Sequence, residues 1–172
     1  MSSIEIRPTV PADLADLAEV LVQVHKVDGY PVEGVANPRA WVDLPDAIGQ
    51  WTALADDRPV GHVALLRPDF GDGAPGLLAA QEDVPMTRIA ALSRLFVGPT
   101  ARRHSLGSGL VGVAEQRARD MGLRLTLDVM QKDRAARALY RRRGWRSLGT
   151  FQHNFGVDRS IPAAAFVAPY FE

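Results

Sequence analysis

The chain has no cysteine. Disulfides, thiolate nucleophiles and cysteine-ligated zinc are therefore excluded. It also has no net charge, because 20 basic and 20 acidic residues cancel. That speaks against broad electrostatic binding to nucleic acid or a membrane surface. Lysine is nearly missing: Lys26 and Lys132 are two of the 20 cationic residues and the rest are arginine. We read that skew as composition bias and not as chemistry. No apolar run approaches the ~18 residues of a membrane span. The first residues, MSSIEIRPTVPADLADL, lack the basic-then-apolar pattern of a secretory signal, so a cytoplasmic location is expected. The four histidines lie too far apart in the chain to suggest a metal site. What is present is 172 residues, 47% hydrophobic and 23% charged, as expected of one soluble globular domain with a real core.

Periodicity then divides the chain. SIEIRPT reads as a strand and PADLADLAEVLVQVH as a helix, with Leu14, Leu17, Val20, Leu21 and Val24 at helical spacing. Lys26–Pro38 reads as a Gly/Pro-rich loop, and RAWVDLPDAI as a short helix that Pro45 breaks. A hairpin follows, with strands around Trp51–Leu54 and Val60–Arg67 and a turn at Asp56–Pro59. DFGDGAPGLLAAQEDVP reads as a long irregular connection. TRIAALSRLFV is a strand with both faces partly apolar. Beyond it the helix stripe Leu110, Val113, Ala114, Ala118 and Met121 ends at Gly122. LRLTLDV alternates as a strand, Asp133 is placed to cap the helix RAARALYRRR, and Gly144 to end it. WRSLGTFQ and AAFVAPYF read as the last strands. Helices follow strands twice in the second half, which indicates an α/β or α+β sheet.

The stretch TARRHSLGSGLVGVAEQRARDMG sets cations and glycines just ahead of a helix. A helix start offers unpaired N–H groups and a partial positive charge to an anion. A capped surface loop explains the same residues without a ligand. A P-loop would end in Gly-Lys-Ser/Thr, and none is present. Gly107-Ser108-Gly109 with Gly112 satisfies G-x-G-x-x-G, but it starts ten residues after Val97, too far for the tight turn of a dinucleotide fold.

LFVGPTARRHSLGSGLV resembles motif A of the GNAT superfamily of acyl-CoA-dependent N-acyltransferases, V-x-P-x-x-R-x-x-G-[IVL]-G-x-x-L-[LMV]. Val97, Pro99, Arg102, Leu106, Gly107, Leu110 and Val111 fall in register, and Ser105 stands at the first glycine. LDVMQKDRAARALYRRRGW resembles the same family's L-x-V-x-x-x-N-x-x-A-x-x-L-Y-x-x-x-G-[FW]. Leu127, Val129, Ala136, Leu139, Tyr140, Gly144 and Trp145 match, and Asp133 stands for the usual Asn. The matched region is Leu95–Trp145.

The resemblance implies one domain over residues 1–172, a mixed twisted sheet of about six or seven strands and about four flanking helices. It implies transfer of an acetyl group from acetyl-CoA to a primary amine, by direct attack in a ternary complex. It implies a CoA arm against Leu95, Phe96 and Val97, and an oxyanion met by a backbone N–H near Phe96 or Val97. It implies a pyrophosphate site over Arg102, Arg103, His104, Ser105, Leu106, Gly107 and Ser108, with Asp133 also near CoA. Ser105 is then expected to hold a glycine-like backbone. Tyr140 is placed beside the thioester sulfur, as proton donor to the departing thiolate; on periodicity alone it reads as an amphipathic core residue. Arg141, Arg142 and Arg143 read as a solvated face, or as a contact for the CoA 3′-phosphate. The acceptor is a small-molecule or peptide amine, with no metal, nucleic acid or membrane partner, and the family leaves room for a homodimer.

One part of the pattern is absent. Where many relatives carry a Glu on the fourth strand, this chain has Ala91. Candidates for a base are His25, Asp28, Glu33, Glu82, Asp83 and His153, each of which also reads as an ordinary surface residue. Asp28, Tyr30 and Glu33 together suggest a loop that receives a cationic amine, and equally a solvated turn. A non-catalytic CoA-binding or sensor module on the same fold is the alternative reading.

Overall fold

The computed structural model describes residues 3–69, 73–102 and 104–170. Among them are seven strands: β1 (Ile4–Pro8), β2 (Gly49–Ala55), β3 (Arg58–Leu66), β4 (Ile89–Val97), β5 (Arg124–Met130), β6 (Arg146–Phe155) and β7 (Arg159–Val167). They form one mixed sheet in the order β1-β2-β3-β4-β5-β7-β6. Five α-helices accompany them: α1 (Leu14–Asp28), the single turn α2 (Pro38–Val42), α3 (Gly73–Glu82), α4 (Leu106–Asp120) and α5 (Arg134–Arg142). This is the α+β class that the element order implies. The chain divides into two compact units, residues 1–65 with 94–114 and residues 66–93 with 115–172.

In the first unit β1, β2 and β3 pair antiparallel. The β2–β3 turn places Asp56 and Asp57 at φ 49° and 65°. Two successive left-handed residues match the twist of a tight hairpin. Helix α1 buries Leu14, Leu17, Leu21 and Val24 against Val42 and Phe96, as its periodicity requires. It ends at Gly29, which is left-handed at φ 69° and donates its N–H to the His25 carbonyl. Its entry is fixed by Asp13, a buried carboxylate bonded by Arg7, the Val10 N–H and the Thr52 hydroxyl. Burial pushes its pKa up, but these donors outweigh that and hold the carboxyl below its ordinary value. At the start of α4, a Cβ on Gly109 would lie 2.8 Å from Ile6 Cδ1. A side chain there would oblige the end of Ile6 to shift.

In the second unit β4 runs parallel to β5 over Ile89–Ala91 and Arg124–Thr126. The β6–β7 hairpin then pairs antiparallel to β5 through β7. The expected irregular connection is corrected here: Gly73–Glu82 is the helix α3. It buries Ala74 and Leu78 against Ile89, Leu148, Ala165 and Val167. Gly and Pro concealed it, yet they lie in its first turn, where Pro is tolerated. The Asp128 carboxylate accepts the Ala74 N–H at 2.7 Å and supplies the cap. Asp133 precedes α5 but makes no capping bond with its side chain. It pairs instead with Lys132 at 3.6 Å.

Candidate active site

The motif residues from Leu95 to Ser108 all belong to the first unit. Leu95, Phe96 and Val97 end β4, with Phe96 buried. A single 3-10 turn at Pro99–Ala101 leads on. Ser105 has φ 55°, so it does hold the backbone that the motif's glycine supplies. Its carbonyl takes the first helical bond, from the Gly109 N–H at 3.0 Å. Leu106 and Gly107 therefore stand at the open N-terminal turn of α4, where amides lack intrahelical acceptors. His104 is exposed and Leu106 is buried. Arg103 lies outside the described residues.

Arg102 is engaged within the protein. Its Nε and Nη2 each donate to the Val97 carbonyl at 3.2 Å, and Nη2 meets Asp28 at 2.5 Å. This exposed pair ties the end of α1 to the motif loop. Asp28, read from the sequence as a base or an amine partner, is thus spoken for by a cation.

Behind β4 lies a residue that the sequence did not single out. His62 is fully buried on β3 and stacked on Phe96 at 5.6 Å. Its Nδ1 bonds the Arg94 carbonyl at 2.9 Å, and its Nε2 meets the Gln50 side-chain amide at 3.1 Å. A carbonyl only accepts, so Nδ1 carries the ring proton. Burial lowers the imidazole pKa to about 4, and the ring is neutral at pH 7. Arg94 has φ 56° and interrupts the strict alternation of β4. Its guanidinium lies over Trp41, 4.8 Å from the ring centroid, and donates to the Trp41 carbonyl.

Tyr140 and Asp133 belong to the second unit. Tyr140 is buried on α5 beside Trp145 and Phe166, with centroids 5.4 and 6.4 Å away. Burial, helped by the Asp133 charge, raises the phenol well above its ordinary pKa. The hydroxyl therefore keeps its proton at neutral pH. Arg143 is not part of a solvated face: its Nε bonds the buried Glu115 at 2.6 Å, and Trp145 Nε1 reaches the same oxygen at 3.4 Å. Arg134, Arg137, Arg141 and Arg142 line an open depression along α5.

The candidate bases fare differently. Ala91 pairs with Thr126 of β5, so neither residue of that register brings a carboxylate. Glu82 is shared by Arg124 at 3.2 Å and Arg146 at 2.5 Å, and these bonds hold its carboxyl below its ordinary pKa. Asp83 is exposed at the end of α3. His153 stacks on Phe155 in β6. His25 keeps a buried Nδ1 without a hydrogen-bond partner. Among the described residues no group of three His, Asp or Glu stands close enough to hold a metal ion. No helix among them is long and apolar enough to cross a membrane.

The profile of the family described as Acetyltransferase (GNAT) family matches residues 16–145. No curated protein matches the chain. Several solved structures share the fold. The yncA protein of Salmonella typhimurium, solved with its cofactor acetyl-CoA, has a TM-score of 0.74 at 14% identity, over 99% of this chain and 95% of that one. Arabidopsis thaliana NAA60 with acetyl-CoA gives 0.72 at 17%, over 96% and 97%. The GNAT-family acetyltransferase of Streptococcus pneumoniae gives 0.66 at 20%, over 96% and 98%.

Proposed function

The chain belongs to the GNAT acetyltransferase family, and from that premise we propose that it transfers an acetyl group from acetyl-CoA to a primary amine. Residues 1–172 act as one such domain. The observation that carries the reading is Ser105. A serine at φ 55°, in the register of a motif glycine, opens the N-terminal turn of α4. Left-handed backbone on a side chain is uncommon and marks functional turns. Such a turn ahead of a helix start is the kind of backbone that can offer amides to a pyrophosphate. Leu106, Gly107 and Ser108 continue that surface, with Arg102, Arg103 and His104 before them and Asp133 ahead of α5. Leu95, Phe96 and Val97 hold the CoA arm along β4.

In the reaction, the acceptor nitrogen attacks the thioester carbonyl carbon, and a backbone N–H at Phe96 or Val97 meets the oxyanion. The carbon–sulfur bond breaks, and the leaving thiolate takes the Tyr140 hydroxyl proton. Burial keeps the phenol protonated, so a proton is present to give. The acceptor's own proton passes to water, since Ala91 supplies no carboxylate. The arginines along α5 offer charge to the 3′-phosphate.

Calorimetric titration with CoA tests the loop. Gly107→Val puts a branched side chain where the phosphate must approach, and should weaken CoA roughly tenfold or more. Equal affinities in both proteins would remove the phosphate from this loop. Ala91 keeps a second reading in view, a CoA-binding module without turnover. Thiol release from acetyl-CoA with a panel of amines separates the two.

A further inference from the structure

Arg94 carries more cost than a structural residue needs. Its backbone is left-handed in mid-strand, a region that disfavours every side chain but the smallest polar ones. The buried His62 fixes that conformation by donating to its carbonyl. Its guanidinium is half-buried over Trp41. A guanidinium has five N–H groups. Among the described residues, its one hydrogen-bond acceptor is the Trp41 carbonyl. No carboxylate is in contact with it; Glu33 and Tyr30 act on it only at longer range. Burial works against the charge and lowers the Arg94 pKa, while those two groups act the other way. A cation drawn partly out of water is costly unless it is paired and fully bonded.

We propose that Arg94 is the anchor for an acceptor that carries a carboxylate as well as its amine, as an amino acid does. The inference rests on the acetyltransferase reading and names the substrate class of that site. Four observations support it. The planar guanidinium fork fits a carboxylate bidentately. A single arginine with an acid in range suits a monoanion better than a phosphate dianion. Trp41 and Tyr30, packed edge to face at 5.6 Å, wall the cation with apolar surface. And Arg94 stands two residues before Phe96, on the strand to which the reading assigns the thioester.

The test uses the common L-amino acids, each as the free acid and as its carboxamide, with thiol release from acetyl-CoA as readout. Free acids should exceed their carboxamides in kcat/KM by about 10- to 100-fold, the usual effect of a charged hydrogen-bonded pair. Arg94→Met should bring that ratio to near one, and Arg94→Lys should leave an intermediate ratio, because charge remains without the fork. CoA affinity and melting temperature, measured beside them, separate a binding role from a tether to Trp41. Carboxamides that match acids, or a ratio that survives Arg94→Met, would overturn the inference. So would tight CoA binding with no amino acid turned over. Failure to bind CoA would instead strike the acetyltransferase reading itself, and calorimetry detects it before any acceptor is added.

Discussion

Both units turn their backbone left-handed, but on different residues. In the second unit the burden falls on Gly73, Gly122, Gly144, Gly149 and Gly156, and otherwise on Asp83 and Asp158. Glycine has no Cβ to clash, and a short polar side chain tolerates the conformation. In the first unit Gly29, Gly34, Asp56 and Asp57 follow the same rule. Arg94 and Ser105 do not. Ser105 lies in the segment that matches the CoA motif, and Arg94 directly precedes that segment on β4. The second unit contributes ordinary geometry and unusual solvation, in the buried phenol of Tyr140 and the buried carboxylate of Glu115. The difference teaches that the residues proposed for the chemistry stand out by backbone in the first unit and by solvation in the second.

The sharpest way to break this contrast is Tyr140→Phe. Loss of a general acid should lower kcat by roughly 10²–10⁴-fold. The ring remains, so CoA affinity should hold. A kcat within a factor of about two of the parent protein would remove Tyr140 from the reaction. A smaller effect is expected from acid on the first unit. His62 is neutral when folded, and its pKa is lowered to about 4 from the ordinary 6.5. The unfolded chain therefore binds the proton first as pH falls. Stability is full above pH 6.5 and declines as pH drops toward 4, by about 3 kcal/mol. Urea midpoints between pH 7 and pH 4.5 should show this slope, and His62→Gln should flatten it. An unchanged slope would mean that the ring titrates normally. Further losses below that window belong to Asp13 and Glu82, whose pKa values are also lowered. The smallest effect is expected at Ser105→Gly. It relieves left-handed strain but frees the unfolded chain, so stability should move by less than about 1 kcal/mol. CoA affinity should stay within about threefold. A large loss would give the Ser105 hydroxyl a role of its own.

Much of this was legible in residue order, for physical reasons. The strands and the long helices α1 and α4 repeat their apolar residues at the spacing their geometry demands. Ser105 could be placed because a motif register states which residue must be left-handed. Helix α3 escaped because its signal is short and lies among glycines, and because its cap, Asp128, comes from a distant strand. Asp133 illustrates the converse: a good capping residue in the right place prefers a neighbouring lysine. The pairs Asp28–Arg102 and Glu115–Arg143 join segments far apart in the chain, and no local pattern announces such partners. His62 was silent for the same reason. Its burial and its bonds to Gln50 and Arg94 are properties of the sheet and have no trace in the neighbouring sequence.

The division of the chain has a consequence for its synthesis. The first unit takes residues 94–114 as well as residues 1–65. Emerging from the ribosome, it waits for about fifty residues beyond Leu65, a delay of a few seconds at ordinary translation rates. During that interval the apolar face of α1 has no Phe96 to close upon. The second unit is likewise made of two pieces, 66–93 and 115–172. Neither can be cut out as one continuous segment. A chain stopped before Arg94 lacks part of the first unit and should therefore fold poorly.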